Sequence, residues 1–320
     1  MSRALKLLVG IGLTALVLYW AHPAQIVEAA RGAQWRWIGA AVALVFVDRT
    51  LMALRWIDLL VALAPGTRPP LAAVLRVFFV SSFVSNFVPS VASDLYRAFA
   101  LSRYDVHLAE STASVLMDRA LGVLSVVLVA ALALPFAGDL AARGQLVAVV
   151  AAVFALCAVG AAVVFSARAA DWLRAAVAPV PLKTLHRVTD VLTDAVRRYA
   201  SHHGTLARVL LMSVAVQLFR VLQAWCLGQA LGIHLPAAMW LIFVPVIVLI
   251  MQLPITVNGL GTTQVAFERL FVPQGAPAAP VFALSVLFLA LGIVGTLPGG
   301  VLYALTEGRG APNRPARHVE

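Results

Sequence analysis

Asn86, Ser90, Asp94 and Arg97 share one short stretch, SNFVPSVASDLYRAFALSR (Ser85–Arg103), directly after the apolar run LAAVLRVFFVSSFV. Pro89 lacks a backbone donor and disrupts a continuous helix. Ser93 or Asp94 is placed to cap the helix that LYRAFALSR predicts. Free N–H groups at such a helix start can hold an anion. Arg97 follows Asp94 at i,i+3 spacing, on roughly the same face. The chemistry suggested is headgroup recognition. Backbone N–H groups, Ser90 and Arg97 would hold a phosphate, and Asn86 and Asp94 would select the headgroup or couple its movement. The plain alternative is a capped interfacial helix with a local Asp94–Arg97 ion pair.

A second stretch, MQLPITVNGLGTTQVAFERLF (Met251–Phe271), repeats this order. Pro254 breaks it. Asn258, Gly259 and Gly261 permit tight or left-handed backbone. Gln264 is polar as a helical pattern resumes, and Glu268 lies one turn beyond it. Asn258, Gly259, Gly261 and Gln264 form the second part of the expected headgroup site, with Asn258 and Gln264 reading the headgroup. Asp48, Asp94 and Glu268 are the candidate proton sites if movement is coupled. The plain reading is a Gly/Pro kink in a span. Its occurrence in both halves of the chain favours a site. Charges inside apolar runs are the third signal. Asp48 lies near the middle of 37–63, with Arg55 two turns away on the same stripe, and Arg220 lies near the middle of 207–231. A charge at the bilayer centre costs about 2.5–3.5 kcal/mol on insertion scales, so such groups seek partners. Asp48 with Arg220 is the candidate pair, and Arg220 together with Arg97 is the candidate to neutralise a headgroup phosphate. Arg55 has the alternative of snorkelling to the inner interface. Asp118 and Arg119 lie shallow in 113–137, where anchoring and ion pairing compete as readings.

These residues need an apolar framework to position them. Of 320 residues, 62% are hydrophobic and 12% charged, against about 45–50% and about 25% in soluble domains. That composition points to an integral membrane protein, and the pattern of apolar segments makes its expected fold all-α and polytopic. The net charge of +10 falls between apolar runs, which suits orientation and anionic lipid rather than nucleic acid. Cys157 and Cys226 form no CxxC pair, and no metal-ligand or cofactor motif occurs. The basic, apolar start reads as a retained first span, since no clean cleavage site follows Tyr19 and Trp20.

A span needs roughly 20 apolar residues. The runs 4–20, 37–63, 113–137, 145–166, 207–231 and 279–305 qualify, while 71–103 and 238–273 are interrupted. Arginines and lysines in 167–208, at the start and in the tail place those segments and both termini in the cytoplasm. Following the chain through these constraints gives six full spans, with 71–103 and 238–273 as re-entrant hairpins from opposite faces. About eight membrane segments thus form an inverted repeat, a transporter architecture. The rival arrangement is eight full spans. The expected organisation is one membrane domain over 1–310, with half-repeats at about 1–137 and 145–305, a cytoplasmic segment at 167–206, and a disordered tail at 311–320. Within that segment, 182–200 has apolar residues at helical spacing. It predicts an amphipathic helix that either lies on the inner leaflet or packs on the spans.

Four stretches match a known family in order and spacing: ALRW at 53–56, SNFVPSVASDLYRAFALSR, MDRALGV at 117–123, and LPITVNGLGTTQVAFE. Over roughly 5–305 the chain resembles the transmembrane domain of lysylphosphatidylglycerol synthases, a flippase-like family of bacterial and archaeal membrane proteins. Its members typically carry Asn, Pro and GD..R in the first region, and GLG followed by a Glu in the second. Asp94, Arg97, Gly259 and Gly261 match; Ser93 replaces the Gly, and Gln264 stands where a Glu is common. The resemblance implies lipid translocation in the bacterial inner membrane. The soluble aminoacyl-transferring domain of the full synthases is not expected within these residues, so no enzyme activity is expected.

The function expected from this reading is movement of a phospholipid or polyprenyl-phosphate-linked lipid between leaflets. Membrane lipids with an anionic headgroup are the expected partners. The alternative is a non-transporting accessory that holds a lipid-modifying or glycan-assembly enzyme, docked on the 167–208 segment.

Overall fold

The computed structural model describes residues 32–63, 69–87, 90–102, 104, 106–133, 183–199, 201–252 and 261–306, with isolated positions between 155 and 175. The expected span 4–20, most of 145–166, the tail 311–320, and Pro89, Pro254, Asn258 and Gly259 lie outside them. Among the described residues every regular element is helical. In chain order they are α1 (Trp35–Leu63), α2 (Leu71–Val84), α3 (Ser90–Ser102), α4 (Leu108–Ala133), α5 (Lys183–Arg198), α6 (His203–Ala230), α7 (Ala237–Gln252), α8 (Thr262–Phe271), α9 (Ala278–Val294) and α10 (Leu297–Thr306). Among the described residues four stretches are long and apolar enough to cross a membrane: α1, α4, α6 and the run Ala278–Ala304 that joins α9 to α10.

That last run differs from the uninterrupted span expected over 279–305. The helix stops at Val294, turns at Gly295 and Thr296, and restarts at Leu297. Pro298 explains the restart: a proline in the first turn of a helix has no N–H to leave unpaired. The signal, GTLPGG, is present in the sequence but reads as apolar.

α1 and α6 run antiparallel along a polar seam. Asp58 meets Arg208 at 3.7 Å, Arg55 donates to Ser213 at 3.0 Å, and Asp48 meets Arg220 at 3.6 Å. At the far end the Gln34 N–H donates to the Ala230 carbonyl at 3.0 Å. Two helical turns separate the Arg55–Ser213 and Asp48–Arg220 rungs, so one stripe of each helix supplies both.

The two interrupted segments each fold as a pair of short helices that pack on one another. α2 has 14 residues and α8 has 10, about 21 and 15 Å of helix, too short for the roughly 30 Å hydrocarbon core. α8 returns along α7: Phe271 at its end sits 4.9 Å, ring to ring, from Trp240 near the start of α7. α3 likewise returns along α2, where Arg97 reaches Ser81 and Phe78. Packing is reciprocal. α2 lies against α10 and α7 against α4, while α3 packs on α4 and α8 on α9. Glycine permits the closest approach: a Cβ on Gly299 would stand 1.9 Å from the Phe79 carbonyl oxygen.

α5 docks its apolar face on the ends of α1, α4 and α6. Ala195, Val196 and Tyr199 are buried against Leu59, Met117 and Val209. The Tyr199 hydroxyl donates to the Leu59 carbonyl at 2.8 Å. Of the two placements open for this helix, the described residues take the packed one, with Asp194, Arg197 and Arg198 left exposed.

Candidate functional site

Asp48 and Arg220 meet at 3.6 Å, the pair the sequence suggested, whereas Arg55, Arg97 and Asp118 are buried together in a grouping it did not suggest. Asp118 on α4 holds two arginines at once. Arg55 Nε donates to Asp118 Oδ1 at 2.7 Å, and Arg97 Nη1 lies 3.6 Å from Oδ2. Arg55 therefore does not snorkel; it is 3% exposed and also bonds Ser213. Nor is Asp118 a shallow anchor, since it is 4% exposed.

Arg97 is walled in. Its Nε donates to Ser81 at 3.3 Å, and its guanidinium carbon sits 4.9 Å from the ring centres of both Trp56 and Phe78. Such cation–π contacts favour a cation at a desolvated position. Trp56 is held by its own indole N–H, which donates to Ser114 at 3.2 Å. The local Asp94–Arg97 pair is not made. Asp94 instead binds Arg119 in a two-bond fork, at 2.9 and 3.0 Å. The reason is rotational. Neighbouring residues on a helix point about 100° apart, so Asp118 faces the interior and takes Arg97, while Arg119 faces outward and takes Asp94. Both Ser93 and Asp94 fall inside α3, which starts at Ser90, so neither is its N-cap. The Ser90 side chain lies outside the described residues.

Asn86, at the end of the turn after α2, is committed to structure. Its amide donates to the Phe83 carbonyl at 3.0 Å and to the Thr296 hydroxyl at 2.9 Å. The first broken segment thus touches the break between α9 and α10. Thr296, Ser81, Ser114 and Ser213 were not singled out from sequence, because single hydroxyls in apolar helices are common and back-bond to their own turn.

In the second broken segment Gly261 has φ +81°, the left-handed backbone expected of glycine there. Gln264 does not point to a headgroup: its Oε1 accepts the Gly261 N–H at 2.7 Å, closing the first turn of α8. Glu268 is exposed and outside the buried cluster.

Higher along the seam, Asp48 lies 3.6 Å from Arg220, and Arg49 donates to the Gly292 carbonyl at 3.3 Å. Among the described residues, Arg55 and Arg97, with the half-buried Arg49 and Arg220, face only Asp48 and Asp118 as buried carboxylates, an excess of positive charge. Among the described residues no group of His, Cys, Asp and Glu could hold a metal ion.

These features define a multi-pass helical membrane protein with a buried, arginine-rich polar interior. The chain belongs to the lysylphosphatidylglycerol synthase TM region family, whose model matches residues 4–299. Comparisons with curated proteins and with solved structures returned no match.

Proposed function

We propose that this protein is a lipid translocator, not an enzyme, which takes an anionic headgroup into its interior while the tails stay in the bilayer. The observation that carries this reading is the sharing of Asp118 by two buried arginines, Arg55 and Arg97. One carboxylate cannot neutralise both, and an unneutralised buried guanidinium is costly. A phosphate oxygen beside Arg97 would complete the balance. The Asp94–Arg119 fork is the half-exposed outer rung of the same charged track.

In this reading the segments α2–α3 and α7–α8 are re-entrant hairpins from opposite faces, and the reciprocal packing is that of an inverted repeat. The protein sits in the bacterial inner membrane with both termini in the cytoplasm. The substrate class is a phospholipid or a polyprenyl-phosphate-linked lipid. No nucleotide-binding motif occurs in the sequence, so movement is downhill or ion-coupled. Asp48 and Asp94 are the proton candidates. Glu268, exposed on α8, is the weakest of that set.

The test is a proteoliposome assay with a fluorescent anionic phospholipid, bleached from outside. The wild type should speed leaflet exchange over protein-free vesicles, and Arg97→Gln should lose most of that gain. Equal exchange in all three samples would sink the proposal. The accessory reading keeps one observation in its favour, the exposed charged face of α5 at Asp194, Arg197 and Arg198. It predicts that charge reversal on that face, rather than at Arg97, abolishes function in cells.

A further inference from the structure

We infer that Arg49 and Arg220 form a second anion station, near the middle of the seam, matched to a headgroup of single negative charge, with Asp48 as its built-in counter-ion. This rests on the anion-translocation reading and names the charge class of its substrate.

The two guanidiniums converge. Arg49 Nη1 lies 3.9 Å and Arg220 Nη2 lies 3.3 Å from the same atom, Met52 Sδ. Two cations brought together away from water repel strongly unless an anion lies between them. Asp48 is the carboxylate that pairs with Arg220 among the described residues, and it serves poorly. It is 1% exposed, its Oδ1 is 3.6 Å from Arg220 Nε, and that oxygen accepts no hydrogen bond. Arg49 Nε also finds no acceptor. A buried ion pair repays its desolvation only with close geometry and satisfied hydrogen bonds. Arg55 and Asp118 meet that standard at 2.7 Å, with Ser213 taking a further bond. Asp48 and Arg220 do not, so their pair is the easier of the two to exchange.

The surroundings suit a visiting headgroup. The Arg220 side chain keeps 21% of its surface accessible, against 4% for Arg55. Arg49 lies along the break between α9 and α10: a Cβ on Gly295 would stand 3.0 Å from its Nε. The same break receives Asn86 from the tip of the first broken segment through Thr296. The station therefore sits where two interrupted elements meet.

Charge counting then selects the ligand. Arg49 and Arg220 contribute two positive charges and Asp48 one negative. A phosphodiester with an otherwise neutral headgroup brings the sum to zero. A phosphomonoester dianion overshoots, and a zwitterion leaves the excess in place. Asp48 competes with the visiting anion, which keeps it from being held too tightly to leave.

The experiment titrates the purified full-length chain in neutral detergent with dioleoyl phosphatidylglycerol, dioleoyl phosphatidic acid or dioleoyl phosphatidylcholine. Retention is read by native mass spectrometry, with thermal unfolding as the second readout. The wild type should retain phosphatidylglycerol best. Arg49→Gln and Arg220→Gln should each weaken it by roughly tenfold, and Arg49→Lys should recover part of the loss. Asp48→Asn should tighten it by roughly tenfold and narrow the gap to phosphatidic acid. That gain of binding cannot arise from misfolding. Weaker or unchanged phosphatidylglycerol retention in Asp48→Asn would overturn the inference. Loss of retention in Arg97→Gln, with Asp48→Asn and Arg49→Gln matching the wild type, would remove the second station and leave the wider reading standing. A wild type with no preference for phosphatidylglycerol over phosphatidylcholine would remove both.

Discussion

The two broken segments share a plan and differ in chemistry. Each consists of two short helices folded back on one another, and each leans on the final span of the opposite half. α3 turns Arg97 inward to a carboxylate, a serine and two aromatic rings. α8, at a similar distance along its helix, turns Glu268 outward and buries Phe267 and Phe271 against Trp240, Phe243 and Phe288. The first segment carries the charge, and the second is an apolar wedge whose polar residue Gln264 serves its own backbone. Corresponding positions of the two segments thus differ: one is charged and buried, the other is exposed beside an apolar wedge.

The strongest way to break this comparison is at the glycines where each segment is seated. Gly299→Val should abolish folded protein, because its Cβ would meet the Phe79 backbone at 1.9 Å, and a backbone carbonyl cannot rotate away. Gly228→Ala meets the Trp240 ring at 2.2 Å, so it should be severe but milder, by about 1–3 kcal/mol as an overpacked core. Thermal unfolding in detergent would rank the two. A more stable Gly299 variant would show that the first segment is not seated on α10.

Next come the charges. Asp118→Asn leaves Arg55 and Arg97 without a counter-charge and should cost about 3–5 kcal/mol. Glu268→Gln, on the exposed face of α8, should stay within about 0.5 kcal/mol. Similar losses in chemical denaturation would erase the division of roles. Smaller effects are expected at the tips. Asn86→Ala removes two bonds made in the interior and should cost about 1–3 kcal/mol, whereas Gln264→Ala gives up one capping contact, about 0.5–1 kcal/mol. The reverse order would move the structural hinge to the second segment.

A further small effect lies outside both segments and calibrates them. Burial, then the charge of Asp118, raises the Tyr199 phenol well above its usual range. A raised folded value means that the neutral form is favoured by folding. The stability it contributes is full below the unfolded value of about 10 and declines as pH rises beyond it. Tyr199→Phe should cost about 1 kcal/mol at neutral pH through its lost bond to Leu59. It should also flatten the alkaline decline, as read from unfolding midpoints between neutral and strongly alkaline pH. An unchanged alkaline slope would detach Tyr199 from that decline.

Much of this was legible in the chain. The runs 37–63, 113–137 and 207–231 correspond to α1, α4 and α6 because hydropathy measures what the bilayer requires, a length of apolar helix. The expected helix at 182–200 is α5, whose periodicity separates its two faces. The interrupted segments 71–103 and 238–273 are broken in the fold, since helix-breaking and polar residues act locally. Partnership was legible only for Asp48 and Arg220, which lie in spans expected to be equivalent; the other partners were not. Asp94 and Arg97 look like a pair along the sequence, yet each is claimed by α4, where adjacent residues point in different directions. Arg55 looked free to snorkel until Asp118 and Ser213 were brought beside it by two other helices. Hydropathy and local propensity are properties of a few successive residues, so sequence alone determined the spans α1, α4 and α6 and the breaks in 71–103 and 238–273, but not the break between α9 and α10. Neutralising a buried charge needs an atom about 3 Å away in space, and only the packing of α1, α3, α4 and α6 decided which atom that would be.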